Sequence, residues 1–147
     1  MLADDLKVLL ATQYAFVIKC QFHHWNVEGP RFIQLHDFFG EIYEEVYDNA
    51  LDQTAEFIRI LEEYTPGSFE RFQELSLIPG QTKIPRSQLM ITELLADCQT
   101  LIDHLNVCFQ SAEAENQQGI ADFVAGRIDA MGKHAWMMKS LLKEERE

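Results

Sequence analysis

The chain has 147 residues, 47% of them hydrophobic, which is the length of one domain with enough apolar material for a single core. Its 24 acidic and 12 basic side chains give a net charge of −12, which repels nucleic-acid phosphates and attracts cations. The first residues carry acids where a signal peptide needs positive charge, and no apolar run approaches the ~20 residues of a membrane span. We therefore predict one domain over residues 1–147 of a soluble, cytoplasmic protein with no membrane partner.

The chain has three cysteines, which are expected to be reduced core residues: Cys20, Cys98 and Cys108.

Two long helices are predicted in the first half of the chain. Apolar residues recur at helical spacing from about residue 4 to residue 26, and Asp4 or Asp5 is expected to cap this first helix. Gly29-Pro30 ends the connection, because proline restricts the residue before it and suits the first turn of a helix. The second helix is expected to run from about residue 31 to residue 64, where a Thr-Pro-Gly sequence breaks it.

The second half of the chain predicts one short helix and two long ones. The short piece, Phe69–Leu75, lies between two Pro-Gly pairs and is too short to be a bundle helix. Ser87 is expected to cap a third long helix that fades after residue 113, and a fourth is expected from about residue 119 to residue 145. This order predicts an all-α four-helix bundle with the short helix in the long connection between helices two and three.

The spacing of the histidines argues against one common kind of iron site. Bundles that hold two irons inside one subunit usually supply Glu-x-x-His pairs, because that spacing puts both ligands on one helix face. None of the five histidines has glutamate three residues before it. The residues at that offset are Cys20, Gln21, Ile33, Leu101 and Met131.

A different motif spans the end of the first helix and much of the second. His24 to Phe32 read His-Trp-Asn-Val-Glu-Gly-Pro-Arg-Phe, His36 follows His24 by twelve residues, and Asp52 and Glu56 come later on the same helix. This pattern resembles the Dps family of mini-ferritins, whose hallmark is His-Trp-Asn-x-x-Gly-x-x-Phe with a second histidine and a later Asp-x-x-x-Glu pair. The resemblance covers nearly the whole chain. It implies a ferritin-like bundle, a dodecamer built from two-fold dimers, and ferroxidase activity with iron storage.

Helix geometry also constrains where these residues could act together. His36 and Asp52 are sixteen residues apart on one helix, which corresponds to roughly 24 Å at ~1.5 Å per residue. They cannot bind the same metal ion within one subunit. If two copies pair antiparallel about a two-fold axis, the histidine end of one meets the Asp52 and Glu56 region of the other, and two equivalent sites result.

The ligand types suit ferrous iron, which tolerates mixed imidazole and carboxylate ligands with open positions. The resemblance implies that Asp52 and Glu56 bind and bridge iron, with one or two ions per site, while His24 and His36 complete the ligands. It also implies that hydrogen peroxide or dioxygen accepts the electrons. Trp25 would intercept stray radicals near the iron, although filling the subunit interface is an equally good role for it.

One position departs from the family pattern. The family places a carboxylate four residues after the second histidine, where this chain has Gly40 followed by Glu41, and Asp52 lies one residue later than the family spacing. One inserted residue before Glu41, absorbed as a π-bulge at Gly40, would make Glu41 the displaced ligand. In the rival alignment the insertion follows Val46 and the ligand at Gly40 is missing.

The remaining polar and aromatic residues have weaker signals. The resemblance suggests that Asp122 lines an acidic pore for iron entry, but the helix dipole favours an aspartate near a helix start in any case. His23 is expected to be a surface or packing residue. His104 and His134 are expected to be structural, and Trp136 to be part of the core.

Two other functions compete with iron oxidation. Many Dps relatives bind DNA through lysine-rich tails, but this chain has a single early lysine, Lys7, and ends Lys-Glu-Glu-Arg-Glu, so DNA binding is expected to be weak or absent. A helical interaction module that has lost its metal is the other alternative, because Gly40 replaces a ligand.

Overall fold

The computed structural model describes residues 1–144, and the regular structure in that part of the chain is helical throughout. The elements are α1 (Leu2–Asn26), α2 (Phe32–Val46), a π-helical segment (Tyr47–Leu51), α3 (Asp52–Ile60), α4 (Phe69–Leu75), α5 (Ser87–Ala114) and α6 (Gln118–Leu142). The α2, π and α3 elements together form the second long helix of a four-helix bundle. The predicted all-α bundle with a short helix in its crossover is therefore confirmed.

The four long helices pack around one apolar core. α1 lies against α2 and α5, and α5 lies against α6. The largest side chains that are fully enclosed between them include Leu6, Leu9, Phe16, Phe39, Ile42, Leu94 and Leu101. Burying a side chain of this size contributes about 1.5–3 kcal/mol, so this set provides most of the force that holds the bundle together. Among residues 1–144, no helix is both long and apolar enough to cross a membrane.

The start of α1 differs from the sequence-based expectation. Met1 occupies the cap position and makes no side-chain cap bond, while Asp4 and Asp5 lie inside the first turn. The predicted aspartate cap is therefore wrong, although acids in the first turn still interact favourably with the helix dipole. The backbone N–H of Leu2 donates instead to Oε2 of Glu115 at 2.8 Å, which ties the helix start to the end of α5.

The second long helix contains an extra residue in a π-helical turn. Two buried side chains bond to this turn: Oγ1 of Thr54 and Nε2 of Gln13 both donate to the carbonyl of Ala50, at 2.7 and 3.4 Å. The bond from Gln13 links the widened turn to α1. The helix is regular from Phe32 to Val46, so the predicted bulge at Gly40 is wrong and the insertion follows Val46, as the rival alignment has it.

The crossover and the last two helices largely follow the prediction. α4 covers the predicted residues, with Oγ of Ser68 accepting from the N–H of Arg71 at 3.2 Å. α5 begins at Ser87, but Arg86 holds the cap position and Ser87 makes no cap bond, so that detail of the prediction is wrong. α6 is described to Leu142, and the predicted end at residue 145 lies outside the described residues.

Candidate metal centre

His24 and His36 form a tightly packed pair where α1 ends and α2 begins. Their rings stack with centroids 3.8 Å apart and planes 14° apart. Nδ1 of His36 bonds to the carbonyl of His24 at 2.7 Å, and Nδ1 of His24 bonds to the carbonyl of His36. A carbonyl oxygen only accepts hydrogen bonds, so both Nδ1 atoms carry the proton. In the tautomer with the proton on Nδ1 the lone pair is on Nε2, which is the arrangement of a metal-binding histidine held by a backbone carbonyl.

Other aromatic rings hold this pair in place. Phe32 stacks on His36 with centroids 5.0 Å apart, and the ring of Tyr43 meets His24 edge-on at 5.5 Å. Neither Nε2 atom makes a hydrogen bond to any described residue. The two imidazoles are therefore positioned by packing and backbone bonds, and their free nitrogens remain available to an added ligand.

Gly40 lies directly under the His24 ring. A Cβ atom at this position would stand 3.0 Å from Cε1 and 3.1 Å from Nδ1 of His24, which is closer than carbon atoms normally pack. The imidazole thus occupies space that a side chain at position 40 would need.

Glu41 lies elsewhere, at a cleft of about 250 Å³ between α2 and α6 that Lys133 and His134 also line. The structure does not bring Glu41 to the two histidines.

Asp52 and Glu56 are one turn apart on α3 and both are exposed. The π segment separates them from His24 and His36, and no group of three or more metal-binding side chains occurs within the part of the chain that is described. One subunit therefore brings together the two histidines at one place and the two carboxylates at another.

An apolar groove runs along α1. It has a volume of about 760 Å³ and lies between α1 and the α4 crossover. Trp25, 64% exposed, lies at the histidine end of the groove. Tyr14 also lines the groove. Burial raises the pKa of its phenol, and the nearby Tyr47 and Asp52 raise that pKa further. The groove itself is lined mainly by apolar and aromatic side chains, and none of the two histidines and two carboxylates lines it.

The sequence as a whole matches the ferritin-like domain family over residues 3–147. The chain belongs to this family, as a Dps-like mini-ferritin. A low temperature-induced protein of Nostoc sp. is 33% identical over 91% of this chain and 75% of the relative. Dps from Staphylococcus aureus superposes with a TM-score of 0.93 at 27% identity, over 98% of this chain and 96% of that one. A Vibrio cholerae Dps protein, described as a member of a broad superfamily of ferritin-like diiron-carboxylate proteins, gives 0.92 at 26% identity over 97% and 89%.

Several other predicted residues of the mini-ferritin can now be placed. Asp122 is exposed in the first turns of α6. Trp136 is 62% exposed on the outer face of α6, so its predicted core role is wrong, because the apolar stripe of that helix runs through Met131 and Met138 instead. His104 is structural, as predicted, with Nε2 bonded to the carbonyl of Asp5 at 2.8 Å.

His23 is completely buried, which confirms the packing alternative. It lies beside the rings of Phe22 and Phe39, with centroids 5.7 and 6.0 Å away, and neither of its nitrogens has a partner within residues 1–144. Burial, with a smaller effect from the positive charge of Lys19, lowers the pKa of His23 to about 4. The ring is therefore neutral at physiological pH.

Sequence reasoning missed an ionic cluster in the mini-ferritin between α2 and α6. Both oxygens of Glu45 accept from the guanidinium of Arg127, at 2.6 and 2.9 Å, and one also accepts from Nε2 of His134 at 2.7 Å. Burial alone would raise the pKa of Glu45, but the bonds from His134 and Arg127 outweigh it and hold that pKa well below its usual range. The available signal was the seven-residue spacing of Arg127 and His134, which puts both on one face of a helix.

Proposed function

We propose that this mini-ferritin oxidises Fe(II) with hydrogen peroxide or dioxygen at sites shared by two subunits, and stores the ferric product inside a twelve-subunit shell. Iron storage and oxidative protection are the general roles of the Dps and ferritin-like family. The observation that carries the proposal is the state of His24 and His36. Both rings are locked with the proton on Nδ1 and present an unpaired Nε2, which is the form that binds a metal ion.

Pairing of two subunits would complete the site. In an antiparallel pair about a two-fold axis, His24 and His36 approach Asp52 and Glu56 of the partner subunit, and the same contact recurs on the other side of the axis. The apolar groove along α1 supports this pairing, because Ile18, Trp25, Phe69 and Leu77 are exposed at it. An exposed apolar patch of this kind usually marks a protein interface.

The ligand set accounts for the chemistry. Two imidazole nitrogens and two carboxylates bind Fe(II) and leave positions open for an oxidant. The electron balance for peroxide is two Fe(II) and one hydrogen peroxide giving two Fe(III) and two hydroxide ions. The carboxylates and the net charge of −12 attract the cation to the site, and Asp122 would line the route by which iron enters the shell.

Gly40 reduces the number of carboxylate ligands available at each proposed iron site. Since no carboxylate is present at position 40, Asp52 and Glu56 are the acids that must hold the iron at each site. Glu41 is not included, because it lies in the cleft with His134. Trp25, next to His24 at the groove, would be close enough to intercept radicals that escape the iron.

Ferrous oxidation by the purified protein tests the proposal, with His36→Ala and Asp52→Ala expected to lose most of the rate. Glu44→Gln is the matched control, because Glu44 is an exposed acid on the same long helix. No iron uptake or oxidation by the wild-type protein would contradict the proposal and favour a metal-free interaction module.

Mixed assemblies test whether the site is shared. A chain with His24→Ala and His36→Ala is co-expressed with a chain carrying Asp52→Ala and Glu56→Ala. Half of randomly formed pairs are then mixed, and each mixed pair has one intact and one doubly impaired site. The mixture should recover about a quarter of the wild-type rate, because a two-fold pair contains two equivalent sites. A site contained within one subunit would recover none.

A further inference from the structure

The π segment determines which side of the second long helix carries Asp52. His36 and Asp52 are sixteen residues apart, and on a regular α-helix this spacing would point their side chains roughly 160° away from each other. A π turn takes up one more residue than an α turn does. Because the segment Tyr47–Leu51 lies between them, the two side chains are instead roughly 60° apart. They therefore lie on the same side of the helix.

The buried face of the same helix confirms this rotation. Leu35 and Ile58 are both fully buried, although their spacing of 23 residues would put them roughly 140° apart on a regular helix. With one residue absorbed in the π turn, the angle falls to roughly 40°. Asn49, which lies seven residues after the buried Ile42, is exposed, and Ala50 is buried in its place. The helix beyond the π turn is thus rotated by one residue, or roughly 100°.

Gln13 on α1 is tied to the π turn by buried hydrogen bonds. Its Nε2 donates to Oγ1 of Thr54 at 3.1 Å and to the carbonyl of Ala50 at 3.4 Å. Gln13 is 2% exposed and Thr54 is fully buried, so these bonds lie in the core. If the extra residue moved to a later turn, Ala50 and Thr54 would rotate relative to α1. The buried amide of Gln13 would then lose its acceptors, which is costly.

We propose that Gln13 is a positioning residue for the iron site, because it holds the π turn ahead of Asp52 and so keeps Asp52 and Glu56 facing the same partner subunit as His36. The inference rests on the proposed function, since a site shared about a two-fold axis needs both ends of the long helix on one side. A two-fold partner packs against one side of the helix, and ligands that point to the other side cannot reach it. Gln13 itself acts only through the helix and does not contact iron.

Binding of Co(II) to the assembled, iron-free protein tests this role, together with the KM and kcat of ferrous oxidation. Gln13→Met removes the donor and nearly keeps the side-chain volume. It should weaken Co(II) binding about ten-fold, the usual effect of losing an outer residue that orients metal ligands. It should also raise KM for Fe(II) more than it lowers kcat, because the carboxylates then spend part of their time on the wrong side of the helix.

Thr12→Val is the matched control for this substitution. Thr12 is fully buried on α1 beside Gln13, but its hydroxyl donates to the carbonyl of Val8 and accepts from the N–H of Leu77, so it makes no bond to the π turn. The substitution should lower the melting temperature and leave the affinity for Co(II) unchanged.

Deletion of Asn49 separates positioning from packing. The deletion removes the extra residue, so that the long helix can be regular while both of its ends keep their faces. The shortened chain should bind Co(II) nearly as tightly as the wild-type protein. Gln13→Met added to this chain should cost no further affinity, because no π turn remains to move. Asn49 is exposed, so its loss leaves the core unchanged.

The outcomes separate this inference from the proposed function. Full affinity for Co(II) in Gln13→Met would overturn the role of Gln13, and equal losses in the two chains would do so too by showing a packing effect. A deletion chain that fails to assemble or to bind Co(II) would overturn the argument from rotation. Ferrous oxidation by the wild-type protein would leave the proposed function standing in each case. A wild-type protein that neither binds Co(II) nor oxidises Fe(II) would overturn both.

Discussion

The imidazole of His24 packs against Gly40 so closely that a Cβ atom there would stand 3.0 Å from Cε1 of the ring. The position of His24 therefore requires a glycine at residue 40. A larger residue there would displace the His24 ring from its stack with His36. The two residues depend on each other even though they belong to different helices.

Gly40→Ala should therefore lower the rate of ferrous oxidation several-fold, although glycine to alanine usually stabilises a helix. The added methyl group moves the His24 ring and weakens its bond to the carbonyl of His36. Gly126→Ala on α6 is the control, because a Cβ atom there meets nothing within 4 Å. It should keep the full rate and gain up to about 1 kcal/mol of stability. A Gly40→Ala protein with the full rate would show that His24 is not positioned by this contact.

The Glu45 cluster predicts a loss of stability in acid. In the unfolded chain this carboxyl titrates near 4.5, and in the folded protein its pKa is lower, so the cluster stabilises the fold above that pH. The contribution disappears as the pH falls below this value toward the folded pKa. Glu45→Gln should cost about 2 kcal/mol at pH 7, since it leaves Arg127 without its charge partner.

Thermal unfolding of Glu45→Gln across this pH range measures the effect. The difference from wild type should shrink as the pH is lowered below 4.5, because the carboxyl then takes up a proton in the unfolded chain, which favours unfolding of the wild-type protein. Glu44→Gln, one residue earlier on the same helix and exposed, should show no such trend. A constant difference at all pH values would mean that the charge of Glu45 contributes nothing.

Substitution of His23 is expected to raise the stability of the fold, whereas substitution of Glu45 lowers it. Its pKa falls from 6.5 in the unfolded chain to about 4 in the fold, so unfolding takes up a proton between these values and wild-type stability declines as the pH falls through this window. His23→Leu removes two buried nitrogens that have no partner in the described chain, and should raise the melting temperature more at pH 5 than at pH 8.

His104→Leu provides the contrast in the same measurement. This substitution removes the bond to the carbonyl of Asp5, so it should lower the melting temperature at both pH values. A His23→Leu protein that is equally destabilised at pH 5 and pH 8 would show that the buried ring is held by a partner after all.

DNA binding is expected to be weak. The net charge of −12 repels phosphates, because 24 acidic side chains outnumber 12 basic ones. An electrophoretic mobility shift assay at physiological salt should show no stable complex, and any complex seen at low salt should dissociate when salt is raised. A tight complex at physiological salt would contradict this prediction.

Periodicity was enough to predict the long helices and the short crossover helix. Apolar side chains three and four residues apart have a stable arrangement only on a helix face, so α1, α4 and α5 lie within two residues of their predicted bounds. The same reasoning failed at Trp136, because an aromatic residue on a long helix fits an outer face as well as the core.

The amino-acid sequence alone predicted the bundle, the histidine and carboxylate pairs as candidates, and the fact that His36 and Asp52 lie too far apart on one helix to share a metal ion. Only the tertiary structure decided where the inserted residue goes, in the turn where Gln13 on α1 and Thr54 on α3 both donate to the Ala50 carbonyl. It also decided that Glu41 faces away from the histidines and that His24 fills the space above Gly40. These outcomes depend on contacts between helices, and local helix spacing carries no information about such contacts.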